Sequence, residues 1–191
     1  MLVTLDFETY YDQEYSLRKL TTAEYVNDPR FFIHMVGIKL NDGPTIVHTN
    51  PADIANSLYA IDWEEATLLC QNTHFDGFIL AEHFSLYPDK YADTRSMSQA
   101  IYVGEKSHSL SAIADRLFDG WKKGDELADS KGVERLTGDL LINIRDYCIN
   151  DVELTYAAYQ NMVEQMPERE MLLIDLTARM FCQPQMLLDT Q

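Results

Sequence analysis

The sequence is poor in basic residues. Fifteen lysines and arginines stand against 31 aspartates and glutamates, which gives a formal net charge of −16 over 191 residues. Binding to nucleic acid by charge alone requires a basic surface, so this composition argues against a general nucleic-acid-binding protein. Any contact with a polyanion would have to depend on bound metal ions and a few local side chains.

Cysteine is also scarce, and long apolar runs are missing. Cys70, Cys148 and Cys182 are widely spaced and lack a metal-binding pattern, which is typical of reduced core residues in a cytoplasmic protein. No apolar run is long enough to span a bilayer. The N-terminus reaches Asp6 without a basic region, so we expect no secretory signal. The chain does contain 46% hydrophobic residues, enough for the core of one domain.

Strands and helices are predicted to alternate along the chain. Asn41-Asp42-Gly43-Pro44 indicates a tight turn, so the strands on either side should form a hairpin. The predicted strands are residues 2–8, 31–40, 45–48, 67–71 and 91–93. The predicted helices are residues 51–59, 96–102, 109–117, 139–165 and 168–181, a short one within 10–30, and one that starts at Asn72 or Thr73 and includes Phe84. This order predicts an α/β fold with a central mixed sheet flanked by helices.

Two acidic residues stand near the end of the first predicted strand. Because successive side chains of a strand point to opposite faces, Asp6 and Glu8 lie on the same face. Their like charges repel each other, and a bound divalent cation would relieve that repulsion. The simpler interpretation is a pair of exposed acids at a strand end. If the fold brings further carboxylates to the same place, the interpretation as a cation-binding site is favoured over that of exposed acids.

A third acid, Asp76, follows the predicted strand 67–71 in the first turn of the next helix. The helix dipole favours a carboxylate there, which by itself explains the residue. Ligands of open α/β sheets, however, gather where strands end and helices begin. If strand 67–71 lies beside the first strand and parallel to it, Asp76 comes to the same edge of the sheet as Asp6.

A fourth acid, Asp151, lies on the long predicted helix four residues after Tyr147, so both share one helix face. This face adjoins an apolar stripe that includes Cys148 and Val152. The simpler interpretation is a tyrosine at the core margin and a surface acid. Four carboxylates from three separate elements can, however, hold two divalent cations through oxygen. Two such ions about 3.5–4 Å apart form the clamp that catalyses phosphoryl transfer.

Three short motifs resemble those of the DEDD superfamily of exonucleases, in the same order. They are Asp6-Phe7-Glu8-Thr9, Asn72-x-x-Phe75-Asp76 and Tyr147-x-x-x-Asp151. The tyrosine resembles the tyrosine-bearing (DEDDy) subgroup, which includes the 3'-5' proofreading domains of DNA polymerases. In the histidine-bearing subgroup the position of Asp146 would hold a histidine. The sequence around these motifs, from residue 2 to about residue 165, is similar to that of bacteriophage family A DNA polymerases.

The resemblance implies an RNase H-like fold and metal-dependent hydrolysis of nucleotides from the 3' end of single-stranded or frayed DNA, as in proofreading. It makes Asp6, Glu8, Asp76 and Asp151 the ligands of two Mg²⁺ or Mn²⁺ ions. Tyr147 matches the residue that orients the attacking water. Since the ordinary pKa of tyrosine is about 10, orientation by its hydroxyl is easier to credit than general-base catalysis.

Three further residues are candidate substrate contacts. By the same resemblance, Thr9, Asn72 and Phe75 would bind the 3'-terminal nucleotide, and an aromatic face suits an unpaired base of any sequence. Phe75 could equally be a residue of the hydrophobic core. Thr9 could equally be an ordinary residue at the end of a strand. The long predicted loop 119–138 is either solvated or a flap that holds the DNA backbone. Its basic residues are Lys122, Lys123, Lys131 and Arg135.

The predicted domain organisation is an exonuclease domain over 1–166 and a helical segment over 167–191. The second segment resembles the connection to a polymerase domain, so the sequence is either a piece of a polymerase or an exonuclease encoded alone. We expect a monomer in a bacterial or phage-infected cytoplasm, with a single-stranded DNA 3' end and a polymerase domain or subunit as partners and no membrane. Alternatives are an RNA-trimming exonuclease, a non-catalytic RNase H-like module, and an acidic mimic of DNA with its acids spread over one surface.

Overall fold

A mixed β-sheet lies at the centre of the protein. The computed structural model describes residues 1–121 and 129–184. The strands in these ranges are β1 (Leu2–Thr9), β2 (Ile33–Leu40), β3 (Ile46–His48), β4 (Thr67–Cys70) and β5 (Lys90–Asp93). They form one sheet of order β3-β2-β1-β4-β5, in which β1 is antiparallel to β2 and parallel to β4. The predicted mixed sheet is confirmed, and so is the hairpin of β2 with β3.

Helices cover the sheet and connect its strands. They are α1 (Thr22–Val26), α2 (Pro51–Tyr59), α3 (Thr73–Phe84), α4 (Thr94–Ile101), α5 (Leu110–Leu117), α6 (Gly138–Met162) and α7 (Glu168–Cys182). Asn50 caps α2 through its side chain, as its position before Pro51 predicts. The long helix α6 ends earlier than predicted, because the chain tightens into a 3₁₀ turn over Val163–Gln165. Within the described ranges, no helix has both the length and the apolar character needed to cross a bilayer.

The two faces of β1 have different surroundings. Val3, Leu5 and Phe7 point into the large apolar cluster that β4 and α3 also build. Each such side chain contributes about 1.5–3 kcal/mol when fully buried. The alternate residues face α6, where Asp6 and Glu8 adjoin Cys148. One face of the strand therefore anchors it in the core, and the other presents its carboxylates to the long helix.

The close approach of α6 to the sheet depends on Gly37. This glycine lies on β2 directly beside Asp6 of β1. A Cβ atom at Gly37 would lie 2.8 Å from the Cys148 Sγ atom and 2.9 Å from the Val152 Cγ2 atom, both on α6. Distances this short are below van der Waals contact, so any other residue would push the helix away. The glycine therefore sets the distance between α6 and the carboxylates of β1.

Replacing Gly37 with alanine should destabilise the protein and lower any activity that needs Asp6 and Asp151 together. Overpacking of this kind costs about 1–3 kcal/mol in the free energy of unfolding. Removing the clashing sulfur should relieve it, so Gly37→Ala combined with Cys148→Ala should lose less than the sum of the single changes. Urea unfolding of the four proteins in this cycle measures the coupling. Strict additivity would show that the helix does not depend on this glycine.

The last helix packs against α3 and β5. Gly77 of α3 allows this contact, since a Cβ there would lie 2.9 Å from the Cys182 Sγ atom of α7. The Tyr91 amide donates a hydrogen bond to Asp175 Oδ1 at 2.8 Å, and Ile174 is buried. The opposite face of α7 exposes Leu172, Leu173, Leu176 and Met180. The predicted division of the chain at residue 166 stays a prediction, and residues 185–191 lie outside the described ranges.

Candidate active site

The site begins where β1 extends past the end of its neighbour β4. The parallel pairing of these strands joins Leu2 to Thr67 and Thr4 to Leu69, and β4 ends at Cys70. The Phe7 amide donates instead to Asp76 Oδ1 in the first turn of α3, at 3.0 Å. The third predicted acid is therefore joined directly to the strand that carries the first two. The condition set for this, that strand 67–71 lies beside the first strand and parallel to it, is met.

Asp6 and Glu8 lie close together on the face of β1 that meets α6. One carboxylate oxygen of each, together with the Cys148 Sγ atom, forms a group in which all the atoms are within 4.8 Å of one another. The pairing of β1 with β2 shifts by one residue between Glu8 and Thr9, which makes a bulge. Bulges next to functional sites redirect side chains. Glu8 is 6% exposed, so the interpretation as an idle surface acid is wrong for it.

Tyr147 and Asp151 come to the same place from α6. Both are buried, with exposed fractions of 5% and 4%, so Asp151 is not a surface acid. Burial raises the pKa of the Tyr147 hydroxyl, and the nearby charges of Asp151, Glu8 and Asp6 raise it further. A hydrogen bond between the side chains of Tyr147 and Asp151 acts in the same direction. The hydroxyl is therefore protonated at neutral pH.

The protein alone compensates poorly for the ionised form of Asp76. Asp76 is 3% exposed, and this burial raises the pKa of its carboxyl well above the usual range. The adjacent charge of Asp6 raises it further, while the hydrogen bond from the Phe7 amide lowers it. Buried carboxylates that repel each other suit a hard divalent cation, which prefers oxygen ligands. The donor set of four carboxylates therefore fits such ions.

Cys148 is near the carboxylates but is a poor candidate ligand. Burial raises the pKa of its thiol well above the usual range, and the charges of Asp6, Glu8 and Asp151 add to this. A metal binds the thiolate, which is disfavoured here. The thiol instead donates a weak hydrogen bond to the carbonyl oxygen of Asp6, at 3.8 Å. We interpret Cys148 as the apolar wall of the site, in agreement with its predicted place in the core stripe.

A family comparison covers most of this region. Residues 44–167 match the model of a family described as 3'-5' exonuclease. The chain belongs to this 3'-5' exonuclease family. The matched residues include Asp76, Tyr147 and Asp151 but not Asp6 or Glu8, which the structure connects to them. No curated protein sequence gives a significant match.

Solved structures share the fold of this exonuclease family member. NrnC of Brucella melitensis with bound Mg²⁺ has a TM-score of 0.63 and 19% identity, and the match covers 95% of this chain and 81% of NrnC. NrnC bound to pGG matches over the same shares of both chains, with a TM-score of 0.59 and 18% identity. The catalytic core of RRP6 from Trypanosoma brucei has a TM-score of 0.57 and 14% identity, over 95% of this chain and 46% of RRP6. The predicted RNase H-like fold is confirmed.

The hydroxyl of Thr9 is already occupied in the exonuclease structure. The Tyr25 hydroxyl donates to the carbonyl oxygen of Tyr10 at 2.5 Å, and lies 2.9 Å from the Thr9 Oγ1 atom. Because Tyr25 uses its proton on Tyr10, Thr9 is the donor in this pair. Phe75 packs against the Tyr25 ring and also lines the pocket next to Glu8. Both interpretations of Phe75, core and site, therefore describe part of its surroundings.

Asn72 is held beside the site by a residue that the sequence did not suggest. It precedes α3 in the left-handed conformation, with φ of 72°, and its side chain makes no capping hydrogen bond to the helix. Its amide donates to Asp93 Oδ1 at 3.0 Å, and its side-chain oxygen accepts from Arg95. Asp93 also caps α4, which starts at Thr94. An aspartate before a helix is a cap signal that would have indicated this start.

The predicted basic residues are distributed unevenly. Lys131 lines the pocket next to Glu8 and Thr9, whereas Arg135 is exposed and does not line it. Lys122 and Lys123 lie outside the described residues. Arg18 and Lys19 also line the pocket, although they were not among the predicted substrate contacts. They follow the first motif within about ten residues, but they belong to none of the three motifs, so only the fold indicates that they lie near the site.

Proposed function

We propose that this exonuclease removes nucleotides one at a time from the 3' end of single-stranded or frayed DNA. The observation that carries the proposal is the convergence of Asp6 and Glu8 of β1, Asp76 of α3 and Asp151 of α6 around one end of β1. Acids spread over one surface, as an acidic mimic of DNA requires, would not be buried together. A non-catalytic module would have no need for mutually repelling carboxylates.

The four carboxylates would hold two divalent cations, Mg²⁺ or Mn²⁺. Bound ions of this kind supply charge for the phosphate oxygens and lower the pKa of a coordinated water. The protein contributes the positions of the ligands. Asp6 and Glu8 are fixed by the sheet, and Asp76 by its hydrogen bond from the Phe7 amide. Rigid placement of this kind lowers the barrier because the charges need no reorganisation during the reaction.

Tyr147 orients the attacking water in this proposal and leaves proton removal to other groups. Burial and three neighbouring carboxylates raise the pKa of its hydroxyl, so the group is a poor base at neutral pH. The Tyr147 hydroxyl can donate its proton in a hydrogen bond to Asp151, while its oxygen atom accepts a hydrogen bond from the water. We infer from Tyr147, and from Asp146 at the alternative position, that the chain has the tyrosine-bearing form of the site.

Replacing Tyr147 with phenylalanine should lower kcat by about 10²-fold and leave KM nearly unchanged, because a misplaced water reacts slowly. The wild-type rate should show no loss that follows ionisation of this tyrosine between pH 7 and 10, since its pKa is raised. Tyr159→Phe, on the same helix but in a separate apolar cluster, is the matched control. Equal kcat values for the two variants would remove Tyr147 from the reaction.

A time course on a 5'-labelled single-stranded DNA oligonucleotide with Mg²⁺ or Mn²⁺ tests the proposal. The label should move into a ladder of products that shorten stepwise from the 3' end, and EDTA should stop the reaction. Release of the label as a mononucleotide at the earliest times would indicate the opposite direction. A ladder that persists unchanged in EDTA would contradict the role of metal ions.

The same assay decides between DNA and RNA. Contacts to the 2'-hydroxyl separate the two substrates, so an RNA of identical sequence is the matched comparison. A higher kcat/KM for RNA would favour the alternative of an RNA-trimming exonuclease. We infer a proofreading role with a polymerase domain or subunit, in the cytoplasm. A mismatched 3' end of a duplex should then be shortened faster than a matched one, because it frays.

A further inference from the structure

A pocket adjoins the candidate active site. Its volume is about 680 Å³, within the range of pockets that hold small ligands. Glu8, Thr9 and Phe75 line it together with residues of the loop after β1. Because Glu8 belongs both to this pocket and to the carboxylate group, a nucleotide chain cleaved at the carboxylates would lead directly into it.

Three basic side chains line this pocket. Arg18, Lys19 and Lys131 all contribute to it, in a chain of net charge −16. Lys19 is 2.6 Å from Glu14, which offsets its charge. Arg18 and Lys131 form no ion pair within the described parts of the chain. Two positive charges are therefore available at the pocket for an anionic ligand.

The backbone that carries these charges is held in place. Asp12 Oδ1 accepts hydrogen bonds from the amides of Glu14 and Tyr15, both at 2.7 Å. Tyr15 is fully buried and donates through its hydroxyl to the Tyr25 carbonyl oxygen. These contacts fix the loop that leads to Arg18.

Lys131 is held against the same loop. The Gly132 amide donates to the Tyr11 carbonyl oxygen at 2.8 Å, and a side-chain hydrogen bond joins Tyr11 to Ser130. Both neighbours of Lys131 are therefore attached to the residues just after β1. Arg18 and Lys131 therefore line one pocket whose backbone is held by hydrogen bonds, and preorganisation lowers the cost of binding.

We propose that Arg18 and Lys131 form a second phosphate subsite, which binds a phosphate of the substrate other than the one that is cleaved. Arginine and lysine are the side chains that bind phosphate most strongly. Contacts to phosphate carry no sequence information, so the subsite would act on ends of any sequence. This inference rests on the proposed function, because it assumes that the carboxylates hold the scissile phosphate.

Short substrates that differ by one phosphate test the subsite. A dinucleotide with only the internal phosphate is compared with its 5'-phosphorylated form, its 3'-phosphorylated form and the corresponding trinucleotide. For the wild type, at least one added phosphate should lower KM about tenfold. Arg18→Gln and Lys131→Gln should each remove most of that gain, so that the ratio of KM between the plain dinucleotide and the compound with the added phosphate falls from about ten towards one. The compound that shows the gain identifies on which side of the scissile bond the subsite lies.

The control is Arg169→Gln, which makes the same charge change on the exposed first turn of α7. The subsite is wrong if Arg18→Gln and Lys131→Gln behave like this control on every substrate, or if they impair the plain dinucleotide equally. Calorimetry of the equilibrium binding of the four compounds distinguishes a failure of the subsite proposal from a failure of the proposed function. If the wild type cleaves none of the compounds, the proposed function is contradicted. The subsite is still tested in that case, because the binding affinities of the wild type and the variants for the four compounds can be compared.

Discussion

Exchanging Asp6 or Asp151 for asparagine should lower the rate of 3'-end hydrolysis by about 10³-fold or more. Stabilisation of transition-state charge by metal ions is worth several kcal/mol, and about 1.4 kcal/mol corresponds to a factor of ten in rate. Asparagine keeps the shape of the side chain but removes the charge that binds the ion. The effect should appear in kcat on single-stranded DNA under excess Mg²⁺, where weaker metal binding is partly compensated.

Asp146→Asn is the matched control for these variants. Asp146 precedes Tyr147 on α6, is exposed, and occupies the position at which the histidine-bearing subgroup would have its histidine. Its exchange should leave kcat within about twofold of the wild type, as is usual for an exposed surface position. The assignment of the site would be contradicted if Asp6→Asn had a kcat near that of the wild type. It would also be contradicted if Asp146→Asn lowered kcat as much as Asp151→Asn does. Thermal melting of all variants checks that the fold is intact.

Much of this arrangement was predictable from local patterns. The alternation of strand side chains placed Asp6 and Glu8 on one face, and helical spacing placed Tyr147 with Asp151. Ligands of α/β sheets gather where strands end and helices begin, which made Asp76 a candidate on the condition, met in the structure, that β1 and β4 are parallel neighbours. These features depend on residues close in sequence or on a fold-wide rule, so a single sequence carries them.

Other features depend on register and on long-range packing, which the sequence alone does not reveal. Gly37 is an unremarkable glycine in a strand until the register places it beside Asp6 and under α6. The hydrogen bond from Phe7 to Asp76 exists because β4 ends before β1 does. Arg18 and Lys131 are more than a hundred positions apart in sequence and meet only in the folded pocket.

Exchanging Asp76 for asparagine should stabilise the metal-free protein while abolishing its activity. Burial and the charge of Asp6 raise the pKa of this carboxyl, so the native state keeps its proton to higher pH than the unfolded chain, whose ordinary value is 3.8. The stability that comes from this group is therefore complete at low pH and is lost as the pH rises through the raised native value. At pH 7 in EDTA the carboxyl is ionised in the unfolded chain, and burial disfavours that ionised form in the native protein, so this group lowers the stability. Asparagine removes that cost and still accepts from the Phe7 amide.

The matched control is Asp53→Asn. Asp53 lies in the first turn of α2 as Asp76 does in that of α3, but it is exposed. If Asp76 served only the helix dipole, both exchanges would lower the melting temperature slightly, since such a charge is worth about 0.3–1 kcal/mol. In EDTA at pH 7 we expect Asp76→Asn to melt a few degrees above the wild type, because 1 kcal/mol corresponds to about 2–4 °C in a domain of this size. The difference in melting temperature between Asp76→Asn and the wild type should become smaller as the pH falls towards 4.

Magnesium should reverse the order of these melting temperatures. An ion that binds only the native state stabilises it by about 2.7 kcal/mol at a hundred times its dissociation constant. The wild type should gain this stability and rise above Asp76→Asn, whose site has lost a ligand, while Asp53→Asn should gain as much as the wild type. Differential scanning calorimetry with increasing Mg²⁺ measures the crossing. An Asp76→Asn protein that is less stable than the wild type in EDTA, or equally stabilised by Mg²⁺, would show that the repulsion at Asp76 is not relieved by a metal ion.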